Sequence, residues 1–248
     1  MTKAVLITGG SRGIGRATAR LLGAQGWSVG VNYASNLAAA QNTVAEVERA
    51  GGRAVAVAGD VASEADVIAM FDTVQQTFGR LDALVNNAGI VAPSSQLADM
   101  DLARLKRMFD VNVLGAFLCA REAARRMSTH RGGTGGVIVN LSSAASRLGS
   151  PNEYIDYASS KGAVDTMTLG LAKELGPQGV RVNAVRPGLI DTEIHASGGK
   201  PERAAQLGAT TPIGRPGTAD EVAESIVWLL SDAASYVTGA LLDVSGGR

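Results

Sequence analysis

Thr8-Gly9-Gly10-Ser11-Arg12-Gly13-Ile14-Gly15 begins on the last residue of a short apolar run, Ala4–Thr8, and leads into a helical pattern over Gly13–Gln25. A strand that enters a helix through a glycine-rich turn gathers backbone amides at the helix N-terminus, where the helix dipole favours an anion. Gly9, Gly13 and Gly15 let the backbone turn tightly and come close to a pyrophosphate. A turn of this composition can also do no more than join strand to helix. The rest of the chain decides between the two.

Downstream, the strand-like runs Val29–Tyr33, Arg53–Ala58, Ala83–Asn86, Gly136–Leu141, Val180–Val185 and Ala240–Val244 alternate with longer amphipathic stretches. Those stretches are Asn36–Ala50, Ser63–Phe78, Leu102–Met127, Ile155–Leu175 and Ala219–Leu230. Such alternation predicts an α/β fold, a single Rossmann-type doubly wound parallel sheet of about seven strands with helices on both faces. The crossovers are expected to be right-handed. Gly26, Gly51-Gly52 and Gly79 stand where left-handed helix ends are expected. Thr218 and Glu221 read as a capping box. No linker or repeat divides residues 1–248, which read as one dinucleotide-binding catalytic domain. One long irregular stretch, Pro187 to Pro216, carries a short helical pattern near Glu202–Leu207 and is expected to act as a substrate lid.

Composition excludes several alternatives. The 23 acidic and 23 basic residues cancel, so there is no general positive field for nucleic acid or an anionic membrane. No apolar run reaches membrane-spanning length. The one cysteine, Cys119, lies in an apolar helical pattern and reads as a packing residue. His130 and His195 have no partners at ligand spacing, so no metal site is expected. The N-terminus enters a strand almost at once, without room for a signal peptide, and the expected setting is the cytoplasm.

The second strand bears on the cofactor. A site for NAD usually places an acidic residue near the end of this strand, to accept from the ribose 2′-hydroxyl. Here it ends Asn32-Tyr33-Ala34-Ser35-Asn36, and the first acidic residue of the chain is Glu46. No carboxylate stands ready to repel a 2′-phosphate. Arg12 in the turn, with Ser35 and Asn36 at the next helix start, can donate to one instead. Either Ser35 or Asn36 could also simply cap that helix. NADP(H) is the expected cofactor.

Tyr157-Ala158-Ser159-Ser160-Lys161 sets a phenol and an ammonium four residues apart on one helical face. A free phenol titrates near pH 10, and a neighbouring cation lowers that value. A phenol so tuned can donate a proton to a carbonyl oxygen or accept one from an alcohol. The same spacing is common in surface helices, where it means nothing. A serine from Leu141-Ser142-Ser143, at the carboxyl end of the fifth strand, could bond the substrate oxygen. Ser142, Ser143 and Ser146 compete on composition alone, and a turn-capping role is open to each.

Taken together, these features resemble the short-chain dehydrogenase/reductase family over essentially the whole chain. Thr8–Gly15 is similar to the family's cofactor turn, Asp60-Val61 to its adenine-binding pair, and Asn86-Asn87-Ala88-Gly89 to the motif after strand four. Asn112, Tyr157, Lys161 and Pro187-Gly188 with Thr192 also match. The resemblance implies Tyr157 as general acid/base, Lys161 as its tuner and ribose ligand, Ser143 on the carbonyl, and Asn112 supporting proton passage to solvent. It implies Gly9, Gly13, Ile14 and Gly15 on the pyrophosphate. Arg12, Ser35 and Asn36 would meet the 2′-phosphate, Asp60 and Val61 the adenine, and Ile190 and Thr192 the carboxamide or a nearby phosphate. Ser11, Tyr33, Asn87, Ala88, Gly89, Pro187 and Gly188 complete the expected cofactor set.

One departure stands out: Ser143 and Tyr157 are fourteen residues apart, one more than is usual in the family. The extra residue is assigned to the loop Ser150–Tyr154, which keeps Ser143 at the strand end, with Ser142 as the alternative. Tyr154 lies near the same helical face but at the wrong spacing. The resemblance divides between 3-oxoacyl-thioester reductases, taken first, and sugar or polyol dehydrogenases of the glucose type. Arg125, Arg126 and Arg131 could form the docking patch that a carrier protein would need. A binding protein that kept NADP(H) and lost the chemistry is the rival of another class, against which the full residue set counts. The substrate is expected to be a small carbonyl or alcohol and the assembly a homotetramer.

Overall fold

The computed structural model describes residues 2–248; the side chain of His195, considered above as a metal ligand, lies outside the described residues. Its first half is a run of alternating elements: β1 Ala4–Ile7, α1 Gly13–Ala24, β2 Ser28–Tyr33, α2 Leu37–Arg49, β3 Arg53–Ala58, α3 Glu64–Phe78 and β4 Ala83–Asn86. Then come α4 Leu102–Phe109, α5 Gly115–Met127, β5 Gly136–Leu141, α6 Ala145–Leu148, α7 Ile155–Leu175 and β6 Val180–Pro187. After a short β7, Ile190–Asp191, the chain forms α8 Ile194–Ser197, α9 Arg203–Gly208, β8 Gly217–Thr218, α10 Ala219–Leu230 and β9 Leu241–Val244.

All seven strands of the main sheet run parallel, in the order β3-β2-β1-β4-β5-β6-β9. Strand alternation sorts their side chains between two cores. Val5, Ile7, Val85, Val139 and Val185 face the layer of α1, α2 and α10. Leu6, Leu84, Ile138 and Val182 face α3, α5 and α7, with Phe71, Met127 and Cys119. Cys119 is fully buried, and burial pushes its thiol up to about 12. The order reverses where β1 sits between β2 and β4. In a doubly wound sheet the crevice beyond the strands' carboxyl ends opens at that point.

Local signals acted as expected. Gly26, Gly51 and Gly79 have positive φ, and Thr218 with Glu221 forms a reciprocal capping box. Asn36 caps α2, its side chain accepting from the Ala39 amide at 3.0 Å. One expectation needs correction. Leu102–Met127 is not one helix: a π turn at Asp110–Leu114 separates α4 from α5. The wider turn rotates Asn112 inward, where its amide pairs with both backbone groups of Ile90, and those bonds hold the insertion open. The late stretch has the helix α9 where a pattern near Glu202–Leu207 was expected, and three short elements besides. β7 and β8 pair, Ile190 with Gly217, and tie together the two ends of the segment carrying α8 and α9.

Candidate active site

The turn between β1 and α1 rests on β2 and on the end of β4. The Gly9 amide donates to Asn32 Oδ1 at 3.0 Å, and Gly10 to the Asn32 carbonyl at 2.9 Å. Thr8 Oγ1 accepts from the amides of Asn87 and Ala88, while Asn87 Nδ2 returns bonds to the carbonyls of Thr8 and Gly9. Gly9 and Gly13 have φ of 59° and 51°. A Cβ on Gly15 would lie 2.5 Å from the Gly9 carbonyl oxygen, so only glycine lets the helix start against the turn. No side chain caps α1, whose flanking residue Arg12 is extended and exposed. Its first amides are therefore open to an anion. Thr192 stands beside this start, about van der Waals distance from Gly13.

Along the same edge, Tyr33 is half-buried and Ser35 and Asn36 are exposed. Thr43 Oγ1 donates to the Ser11 carbonyl at 3.4 Å and so ties α2 to the turn. Asp60 makes the bonds of a plain turn residue, accepting from the Ala62 amide at 3.0 Å, and also receives Arg107 at 3.1 Å. Val61 is buried against Gly115 at the start of α5.

Beyond the turn, α7 carries Tyr157 and Lys161 into a cleft of about 410 Å³, lined by Ile14, Asn87, Gly89, Ser143, Ile190 and Thr192 among others. Lys161 is buried and donates from Nζ to the Leu141 carbonyl at 2.7 Å. Its Nζ lies 5.7 Å from the centre of the Tyr157 ring and close to Gly89, where a Cβ would sit 3.4 Å away. Removal from water lowers Lys161 to about 8, against the opposing pull of Asp165. Tyr157 moves the other way: burial raises it, opposed by a hydrogen bond with the Ser143 hydroxyl. Desolvation outweighs that bond, contrary to the lowering expected from sequence. The phenol is therefore held protonated at neutral pH.

The two serines at the end of β5 separate clearly. Ser142 is buried and donates to the Lys161 carbonyl at 3.2 Å. Ser143 lies in the cleft beside Tyr157 and accepts from the Ala145 amide at 3.1 Å. Tyr154 also lines the cleft, but its hydroxyl accepts from Ser94 at 3.0 Å. Asn112 Nδ2 donates to Ser160 Oγ at 3.1 Å, on the turn between Tyr157 and Lys161. At the opposite wall the Ala144 amide donates to the Pro187 carbonyl, and Gly188 passes close to Ser245. Parts of the glycine turn, of Asn87–Gly89 and of Pro187–Thr192 thus line one crevice with Ser143, Tyr157 and Lys161, whereas Arg12, Ser35, Asn36, Asp60, Val61 and Asn112 stand outside its lining.

A family model described as "Enoyl-(Acyl carrier protein) reductase" matches residues 9–248. The chain is 54% identical to the uncharacterized oxidoreductase YgfF of Escherichia coli, over 98% of each chain. It is 38% identical to glucose 1-dehydrogenase 2 of Bacillus subtilis, over 99% of this chain and 94% of the other. The crystal structure of 3-ketoacyl-(acyl-carrier-protein) reductase from Brucella melitensis, complexed with NADH, superposes with a TM-score of 0.91 at 33% identity, over 99% and 98% of the two chains. The chain belongs to the short-chain dehydrogenase/reductase family. It is a nicotinamide-dependent oxidoreductase by that membership.

For a member of this family, several contacts at the site lie outside the motifs. Asn32 joins three segments: besides Gly9, it donates to the carbonyls of Val57 and Gly59 at 3.2 and 3.0 Å. The sequence shows it only as a non-acidic residue on β2; its inward direction could have been read from strand alternation, its partners could not. Arg104 of α4 grips Asp156 with two bonds, at 2.8 and 3.2 Å, and so fixes the turn of α7 that bears Tyr157. Glu153 receives Arg203 of α9 with two bonds of 2.7 Å, and Lys200 at 3.2 Å, linking the α6–α7 loop to the segment that carries α8 and α9. Arg203 also lies over the Tyr154 ring, 5.2 Å from its centre. In that loop Ser150 and Asn152 have φ of 45° and 61°, the positive-φ residues other than glycine among those described. Such backbone is compatible with one extra residue folded into a tight turn.

The arginines considered for carrier docking lie elsewhere on the chain. α5 ends against the Gly135–Gly136 start of β5, at the amino-terminal edge of the sheet and opposite the cleft. There Arg125 and Arg126 both bind the buried Glu122, and Arg126 also binds Asp72. Among the described residues no helix is long and apolar enough to cross a membrane, and no cluster could hold a metal ion.

Proposed function

We propose that this protein is an NADP(H)-dependent oxidoreductase that interconverts a compact carbonyl compound and its alcohol, with Tyr157 as general acid/base. The observation that carries the reading is the convergence of the Tyr157 phenol, the Ser143 hydroxyl and the Lys161 ammonium beside the uncapped start of α1. The bound nicotinamide would supply hydride to the carbonyl carbon, or accept it from the alcohol. A substrate oxygen between Ser143 and Tyr157 would be polarised by the serine. The protonated phenol would give its proton to that oxygen as negative charge develops there. Lys161, next to the ring and to Gly89, would steady the charge left on the phenolate and bind the ribose. Asn112 would hold the wall through which a proton is replenished.

The fit for the cofactor rests on the glycine cradle, the open α1 amides and Thr192 beside them. Gly9, Ser11, Gly13, Ile14, Gly15 and Thr192 would hold the pyrophosphate, with Asn87, Ala88, Gly89, Pro187, Gly188 and Ile190 around the nicotinamide half. Arg12, Ser35 and Asn36 would meet the 2′-phosphate, while Tyr33, Asp60 and Val61 would border the adenosine. Losing one charge-assisted bond costs about 1.5–3 kcal/mol. Arg12→Ala should therefore raise the KM for NADPH at least about tenfold and leave that for NADH nearly unchanged. Equal loss with both cofactors would count against NADP(H) preference.

The substrate reading is sharpened by the outer wall. Arg125 and Arg126 are neutralised by Glu122 and Asp72, and exposed Arg131 sits in the turn between α5 and β5, at the edge of the sheet away from the cleft, so the three offer little to an acidic carrier protein at the site. A free, compact substrate is favoured over a carrier-bound acyl chain. A short 3-oxoacyl thioester remains one candidate. An aldose or polyol is the other, since B. subtilis glucose 1-dehydrogenase 2 is among the relatives and polar Ser150 and Glu153 line the cleft. NADPH oxidation with short 3-oxoacyl thioesters, run beside NADP+ reduction with aldoses and polyols, separates them. Turnover with neither, by protein that binds NADPH, would move the assignment to other small ketones or to a binding role. We further expect a cytoplasmic homotetramer packed through α4–α5 and α7, where Leu114, Phe117 and Leu169 are exposed.

A further inference from the structure

We propose that Asp165 and Arg186 are a positioning pair that sets, from behind the cleft, whether Lys161 keeps its proton. The inference rests on the reading of Lys161 given above. Asp165 follows Lys161 by one turn of α7, so the two side chains share a face. Both are buried, at 7% and 4% exposure. Asp165 Oδ2 accepts from Arg186 Nε at 3.1 Å and Nη2 at 2.9 Å, whereas its buried Oδ1 has no hydrogen-bond partner among the described residues.

Arg186 follows Val185 on β6, and the Val185 carbonyl accepts from the Ser142 amide. Ser142 in turn bonds the Lys161 carbonyl, so the pair is wedged against the strand ends that carry the site. Charge alternates outward from there. Arg186 Nη1 lies 4.0 Å from Asp243 on β9, and Arg147 of α6 reaches the same carboxylate at 3.3 Å. Lys161, Asp165, Arg186, Asp243 and Arg147 thus form a row from the buried ammonium to the surface.

An ammonium taken out of water tends to shed its proton, and a nearby carboxylate opposes this. Lys161 shows both effects, burial lowering it to about 8 and Asp165 pulling it back up. Arg186 moderates the carboxylate it grips, so the two partners act on Lys161 with opposite sign. The other charged groups packed around α7 are arranged differently. From α4, Arg104 is spent on Asp156, and on α5 the arginines close on Glu122. Asp110 of the π turn is half-buried, while β5 and the turn Gly176–Gln178 contribute no charge.

The chain has five lysines, so the titration of Lys161 can be followed directly by NMR of protein labelled with 13Cε-lysine. The signal lost in Lys161→Met identifies it. In Asp165→Asn its midpoint should fall by about one pH unit or more, and in Arg186→Met it should rise. The fall means that the ammonium is lost at lower pH, because the group that held the proton is gone. A purely structural brace would leave both midpoints in place or move them the same way, and either result overturns the proposal. Should Asp165→Asn not fold, the rise in Arg186→Met still decides: its absence sinks the idea. The pH dependence of kcat/KM is the second readout. Opposite midpoint shifts that the rate profile fails to follow would uphold this pair and reject the catalytic reading of Lys161.

Discussion

The two walls of the cleft are built by different means. The wall proposed for the cofactor, from β1 to β4, is assembled by backbone: glycines, open helix amides, and the side chains of Thr8, Asn32 and Asn87 bonded to main-chain groups. The wall proposed for the substrate, formed by the α6–α7 loop and the segment carrying α8 and α9, is assembled by a side-chain ion pair between distant segments, Glu153 with Arg203. Backbone geometry tolerates little change. Partly exposed ion pairs can be exchanged at modest cost, so one such backbone frame can carry many substrate walls.

The largest expected effect tests whether the chemistry sits where the walls meet. Tyr157→Phe should lower kcat by about 10²–10⁴ and leave NADPH binding, followed by fluorescence, unchanged. A variant that retains most of its turnover would remove the phenol from the mechanism. Next comes the stiffness of the cofactor wall. Asn32→Leu strands the Gly9 amide and removes two further bonds, so it should cost about 1–3 kcal/mol in urea unfolding and raise the KM for NADPH. If only the substrate KM moved, the division between the walls would be misdrawn.

Lys161, between the two, gives a comparable effect that depends on pH. Its folded value of about 8 lies below the ordinary 10.5, so between these values the unfolded chain holds more proton than the folded one. Stability should therefore climb with pH across that window, by roughly 2–4 kcal/mol relative to Lys161→Met. A difference between the two proteins that is flat from pH 7 to 11 would mean that the ammonium is not desolvated. The smallest effect belongs to the substrate wall. Glu153→Gln should change stability by about 1 kcal/mol or less, because the pair is partly exposed. It should nevertheless raise the substrate KM several-fold with the cofactor KM constant, because the segment proposed as a lid loses its tie. Equal changes in both constants would show that the loop serves the whole cleft.

Most of the strands were legible to within two residues, because parallel strands buried on both faces read as short β-branched runs between helices. The helix over Leu102–Met127 was misread as continuous. Its interruption depends on Asn112 meeting Ile90, twenty-two residues away, and no local pattern signals that contact. The choice between Ser142 and Ser143 shows the same limit: spacing ranked them poorly, whereas the fold turns one hydroxyl to the Lys161 carbonyl and the other into the cleft.

What the sequence determined by itself was the architecture, the place of the phosphate turn, and the residue types available for chemistry. These follow from periodicity, glycine placement and local capping, all short-range along the chain. What only the tertiary structure decided was which of those groups face one another and how their proton affinities move. Tyr157 is raised and Lys161 lowered by the water they lose, against the opposing effects of Ser143 and Asp165. Desolvation and charge pairing depend on what packs around a side chain in three dimensions, and linear order does not record that.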